Sequence, residues 1–111
     1  MPRDTNPSGD IFGGWLMSEM DIAGSIDAWR RARGRVATVA VRGMAFHSSV
    51  HVGDVLCCHT DVVETGTTSV TVNIEAWALS RDQDRRIKMT EGEFVFVAID
   101  DTGCKLPLPL E

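Results

Sequence analysis

The sequence predicts an α+β fold in which one long central helix is wrapped by a strongly curved antiparallel β-sheet. Three observations lead there. Apolar residues recur at helical spacing from about residue 14 to residue 32, at Leu16, Met17, Met20, Ala23, Gly24 and Ala28. Four later segments, 35–46, 54–64, 69–80 and 86–99, are rich in β-branched residues, and the third alternates cleanly, with Val70, Val72, Ile74, Ala76 and Ala78 on one face. Strands of about 11 residues are twice the usual length, and four of them facing a single helix imply a sheet that curls round it.

In chain order, residues 1–10 (MPRDTNPSGD) are turn formers and read as a loop. The helix that follows ends in arginines, which suit the negative pole of its dipole, and Gly34 supplies a C-terminal stop. The gaps between strands carry turn signals: VGD at 52–54, TGTT at 65–68 and RDQDR at 81–85. With 111 residues, 43% of them hydrophobic and 24% charged, the chain has the size and composition of one globular domain, 1–111, built on a single core.

A net charge of −5 argues against broad attraction to nucleic acid or an anionic membrane, although RRARGR at 30–35 and RDQDRRIK at 81–88 form basic clusters able to hold a small polyanion. The chain has no apolar run of membrane-spanning length and no signal-peptide pattern, so the cytoplasm is the expected location. Three cysteines, an odd number, fit a reducing compartment and not a disulfide framework. Cys57, Cys58 and His59 are consecutive in a strand, where neighbouring side chains point to opposite faces. The cysteines therefore read as core fillers, and no metal site is expected.

One residue in the helix stands out. Positions 17, 21, 24 and 28 fall at i, i+4, i+7 and i+11, which puts Asp21 on a seam with Met17, Gly24 and Ala28, while Glu19 and Asp27 lie off that seam and read as solvated. An unpaired charge in such a place costs several kcal/mol, roughly 3–5 for a broken buried pair. Asp21 is either a structural hydrogen-bonding group at a sheet or subunit contact, or a carboxylate desolvated for catalysis. Gly13 and Gly14 sit where the helix begins and backbone N–H groups have no intrahelical partner, so a ligand oxygen can approach them closely. That is oxyanion-hole chemistry; a tight turn explains the two glycines equally well. With Asn6, a loop amide seven residues earlier, they form a donor set beside the seam carboxylate. The sequence holds no G-x-S-x-G, Walker A, H-E-x-x-H, C-x-x-C or G-x-G-x-x-G pattern to compete with it.

The segment PRDTNPSGDIFGGWLMSEMD resembles the signature of hotdog-fold acyl-CoA thioesterases of the bacterial YciA-like type, in which D-T-N, G-D-I-F-G-G-W and M-D follow at this spacing. The likeness continues through GRVATVAVRGMAF, VHVGDVLCC, GTTSVTVNIEAW and FVFVAID, nearly the whole chain. It implies the hotdog fold, hydrolysis of an acyl-CoA thioester to a free acid and coenzyme A with no separate cofactor, and a homodimer as the minimal unit of a hexamer built as a trimer of dimers. Members of this family usually carry a strand before the D-T-N loop, whereas this chain begins at Met1 almost on the motif, so either its start lies upstream or one edge strand is missing. Ser48 and Ser49 replace a stretch that commonly holds a proline, and Arg42 stands where an acidic residue is common.

The resemblance carries roles onto matching residues. Asp21 acts as general base on a water or attacks the thioester carbonyl itself. Asn6 positions the water or carbonyl, and the Gly13 and Gly14 amides stabilise the oxyanion. If Gly13 and Asp21 are both helical, eight residues separate them by about 12 Å along the axis, too far to meet at one carbonyl. Asp21 is therefore expected from one subunit, with Asn6 and the glycines from its two-fold mate. Arg86, Lys88 and the Thr67/Ser69 turn are candidates for the anionic end of coenzyme A, against a solvated hairpin end as the plain alternative. Thr38 is able to hydrogen-bond in the site, although a strand threonine is more often structural.

Two alternatives share the fold. A hydratase or dehydratase acting on acyl thioesters needs a histidine paired with a helix carboxylate, and His47, His51 and His59 all lie in the strand region. A non-catalytic acyl-CoA-binding module normally accompanies a DNA-binding domain, for which this length leaves no room. A purely structural protein leaves Asp21 unexplained.

Overall fold

The computed structural model describes residues 12–46, 55–79 and 86–110. Helix α1 spans Phe12–Ala32, and the strands are β1 Val36–Phe46, β2 Val55–Thr65, β3 Ser69–Leu79 and β4 Arg86–Ala98. Every bound lies within two residues of its sequence expectation. The strands pair antiparallel in the order β1-β4-β3-β2. The N-terminal loop and the turns at 52–54 and 81–85 lie outside the described residues.

Breaks in register give this sheet its bend. They fall between Thr38 and Ala40 and between Arg42 and Ala45 where β1 meets β4, between Val62 and Glu64 in β2, and between Ala76 and Trp77 in β3. Each unpaired residue kinks its strand and adds local twist. At the second β1 break Gly43 adopts φ +69°, a left-handed conformation that glycine takes without steric cost.

α1 lies in the hollow of the curve. Its buried row is Leu16, Met20, Gly24, Ala28 and Ala32, each four residues from the next. Below lie Val70, Val72, Ile74, Ala76 and Ala78 of β3, with Met89, Phe94 and Phe96 of β4. Burial of each large apolar side chain there contributes about 1.5–3 kcal/mol. At mid-helix the contact is backbone against side chain: a Cβ on Gly24 would overlap Ile74 Cδ1 and lie 3.2 Å from Phe96 Cζ, so a larger residue there would force those two side chains to shift.

The helix ends at Ala32, as expected, but its left-handed stop falls one residue before Gly34. Arg33, at φ 57°, takes the left-handed position and donates its N–H to Trp29 O at 2.7 Å, whereas Gly34 keeps an ordinary φ. Beyond β4 the chain turns at Asp100, whose Oδ1 accepts from Thr102 N, Thr102 Oγ1 and Cys104 N at 2.7–2.9 Å. It then runs back across the domain, donating from Leu106 N to Ala98 O and from Leu108 N to Thr67 O. Arg31 Nη1 donates to Pro109 O at 2.7 Å, and Arg35 pairs with Asp101 at 3.7 Å. Part of the basic cluster at 30–35 thus fastens the C-terminal tail.

Candidate active site

Asp21 sits on the flank of α1 that faces β1. The seam expected from sequence is shifted: Met17 is 37% exposed, the buried row runs through Leu16 and Met20, and Asp21 beside it is half-buried. A seam drawn through 17, 21, 24 and 28 misses this because the buried positions recur strictly every four residues. The carboxylate is held: Thr38 Oγ1 of β1 donates to Asp21 Oδ1 at 2.6 Å. Thr38 is thus the candidate that the fold brings directly to Asp21.

Gly13 and Gly14 both belong to the first turn of α1, where N–H groups lack intrahelical acceptors. Gly14 has no positive φ, and a Cβ built on it would meet nothing within 4 Å. Among the described residues neither a tight turn nor packing therefore requires glycine at 14, although glycine there weakens the helix relative to alanine by up to about 1 kcal/mol. Gly13 and Asp21 lie in one continuous helix, so the separation of about 12 Å along the axis stands. Asn6 lies outside the described residues.

The expected substrate-binding residues fall into two groups at opposite ends of the sheet. Thr67 and Ser69 lie at the β2–β3 turn, and Val70 pairs with Phe96, which also pairs with Thr38, so this turn is level with Asp21. Arg86 and Lys88 begin β4, and the ten residues from Arg86 to Phe96 span about 33 Å. Lys88 is engaged by Glu75 at 3.3 Å and Glu91 at 2.6 Å, which raise its pKa, the Glu91 bond most. Hydrogen bonds from Trp77 and then Lys88 lower that of Glu75. The Arg86 guanidinium lies over the Trp77 ring at 5.0 Å, with His59 Nε2 at 3.3 Å, beside a cavity of about 260 Å³ lined by Cys57, His59, Trp77, Leu79 and Arg86. Sequence reasoning missed this cluster because it is assembled across β2, β3 and β4.

Two expectations change at the other flank of α1. Asp27 is half-buried and accepts a hydrogen bond from Thr60 Oγ1 of β2, and Glu19 is half-buried as well. Cys57 and Cys58 do point to opposite faces, but only Cys58 packs toward the core. Burial first, then the charges of Glu19 and Cys57, push the Cys58 thiol above its ordinary pKa. Among the described residues no three His, Cys, Asp or Glu converge on a possible metal site, and no helix is long and apolar enough to cross a membrane. His59 lies on the sheet face turned away from α1, where it cannot pair with a helix carboxylate of its own subunit. That removes the one described histidine from a hydratase-like arrangement within the subunit; His47 and His51 lie outside the described residues.

The sequence profile of the thioesterase superfamily matches residues 8–84. The acyl-CoA thioester hydrolase YciA of Salmonella typhimurium is 53% identical over 114 aligned positions, covering 100% of this chain and 86% of the relative. A hexameric thioesterase from Yersinia pestis superposes with a TM-score of 0.87 at 51% identity, over 100% of this chain and 90% of that one. A hexameric hotdog-fold thioesterase of Campylobacter jejuni superposes at 0.86 with 37% identity, over 98% and 84%.

Proposed function

This chain belongs to the thioesterase superfamily as an acyl-CoA thioester hydrolase of hotdog fold, and from that premise we propose that Asp21 is its catalytic carboxylate, working at a site shared between two subunits. The observation that carries the proposal is that Asp21, half-buried and held by Thr38, lies on the same helix as Gly14, a glycine that nothing among the described residues requires. In hydrolysis a water adds to the thioester carbonyl, the C–S bond breaks, and coenzyme A leaves as a thiol once protonated. Thr38 fixes one oxygen of the carboxylate; the other takes the proton from the attacking water, or forms a mixed anhydride that water then opens. The amides of Gly13 and Gly14 from the mate receive the oxyanion, and Asn6 orients the carbonyl or the water.

Thr67 and Ser69, level with Asp21, are assigned to the coenzyme A moiety of the same site. Arg86 and Lys88, about 33 Å along β4, would serve a site only through another subunit. The minimal unit in this proposal is a homodimer and the full assembly a hexamer, supported by the hexameric relatives. Cytoplasmic location belongs to the same proposal and rests on the odd cysteine count.

The test is thiol release from acetyl-, butyryl- and palmitoyl-CoA, followed with a thiol reagent. Asp21→Asn should lower kcat by roughly 10² or more while circular dichroism stays native. Turnover like that of the wild type would remove Asp21 from the mechanism.

A further inference from the structure

Gly14, Met17 and Asp21 stand at i, i+3 and i+7 on α1, within about 60° of one another on the flank that faces β1. Asp21 and Thr38 make its polar step. Toward the first turn the flank becomes apolar: Met17, 37% exposed, lies four residues and about 6 Å along the axis from Asp21. β1 follows α1 after residues 33–35 and returns antiparallel to it, so Val41 and Met44, beyond Thr38, lie toward the same end as Met17. Both pack against the core. The Met44 Sδ fills the space over Gly92 of β4 that a side chain there would take, which holds Met44 down on the sheet.

The substrate of an acyl-CoA hydrolase is polar on one side of its thioester and apolar on the other, and this flank has the same polarity. From Asp21 toward the end of α1 come Ser25 and then the basic residues Arg30 and Arg31. That is the direction of a charged coenzyme A; the opposite direction, over Val41 and Met44, is the apolar one. In the proposed dimer the mate's first turn comes level with Asp21, so the two-fold axis crosses α1 midway between residues 14 and 21, beside Met17. The Met17 side chains of both subunits then stand between the two sites.

We propose that Met17 determines which acyl-chain lengths the enzyme accepts: the acyl group lies along the α1–β1 flank over Val41 and Met44, and Met17 is the wall on which it ends. The inference rests on the proposed site at Asp21 and adds to it the residue that sets the depth of the acyl pocket. Methionine has the properties for such a wall. Its unbranched, polarizable side chain turns about three bonds, so it closes on a short acyl group and bends aside for a longer one. A smaller side chain deepens the pocket, and a stiff ring shortens it.

The test is thiol release by Met17→Ala and Met17→Phe, read in each protein as kcat/KM for octanoyl-CoA divided by kcat/KM for acetyl-CoA. A general loss of activity cancels in this ratio. Relative to the wild type, Met17→Ala should raise it at least about tenfold and Met17→Phe should lower it by as much, the scale of one or two methylenes in an apolar pocket. Alanine is the best helix former and the position is part-exposed, so Met17→Ala should fold; should either variant fail, the direction of the other decides. A ratio that stays at the wild-type value or moves the opposite way overturns the proposal. So does an equal loss on both substrates, which would give Met17 a structural role only. Asp21→Asn separates the two readings: turnover like that of the wild type in that variant removes the catalytic carboxylate, while the ratio still reports on Met17.

Discussion

Replacing Gly14 by alanine should make the protein more stable and the enzyme slower. Glycine inside a helix costs about 0.5–1 kcal/mol relative to alanine. Gly14 is the third residue of α1, where the ladder is only beginning, so the lower figure applies. The added methyl group meets nothing within 4 Å, so no steric penalty inside the subunit offsets that gain. About 0.5 kcal/mol corresponds to a rise in Tm of roughly 2–4 °C for a domain of this size, readable by circular dichroism. Activity should move the other way, because the methyl group stands where a carbonyl oxygen must pass to reach the N–H groups of the first turn. Loss of an oxyanion donor costs about 10²–10³ in kcat, and partial obstruction should cost at least about tenfold, read by thiol release. A variant both more stable and fully active would refute the oxyanion role. One that loses stability together with activity would show that a partner chain packs against this position.

Three further outcomes test other parts of the molecule. Mixing inactive Asp21→Asn with inactive Asn6→Ala, after unfolding and reassembly, should restore about a quarter of wild-type activity under random assortment, because half the dimers are mixed and one of their two sites inherits neither defect; confirmed exchange without rescue would place both residues on one subunit. Arg33→Gly removes a left-handed strain of roughly 1–2 kcal/mol, partly offset by a more flexible unfolded chain, so the urea midpoint should rise with activity unchanged, and a fall would show that the arginine side chain supports the fold. Asp100 is held below its ordinary pKa of 3.8, first by the Thr102 hydroxyl and then by the Cys104 and Thr102 amides. Its charged form is therefore favoured by folding, a contribution complete above the ordinary value and lost as pH falls through the lowered one. Asp100→Asn should accordingly lower Tm at pH 6, with the difference shrinking toward pH 3, and an equal difference at both would rule out the charge.

The fold was legible because its signals are periodic and local. Alternation in 69–80 named the five core residues of β3, and helical spacing found α1 to within two residues. Helical spacing could not choose between the row 16, 20, 24, 28 and the seam 17, 21, 24, 28, and so could not show that Asp21 lies on the flank of the buried row. Nor could it show that Arg33 precedes Gly34 into the left-handed region, since either residue ends a helix written as RRARGR. The pairing of Thr38 with Asp21 depends on β1 returning antiparallel beside α1, a contact between residues seventeen positions apart. The exposed apolar residues of α1 were equally open to sequence. Trp15, Ile22, Ile26 and Trp29 have helical spacing of their own, but a search for one core-facing seam counts only one side of a helix.

In the proposed site α1 supplies both the carboxylate of one subunit and the first-turn amides that face it from the mate. The buried row fixes the helix on the sheet. The flank carrying Asp21 looks toward β1, and Thr38, which holds that carboxylate, belongs to the edge strand itself. In the proposed dimer a second subunit joins along this edge, comes alongside the carboxylate and, by two-fold symmetry, carries its own α1 past in the opposite direction. That reversal lets the first turn of one helix approach Asp21 of the other across a distance that a single straight helix cannot close. A change that opens the β1 edge should therefore remove assembly and hydrolysis together, and monomers that keep full activity would rule out the shared site.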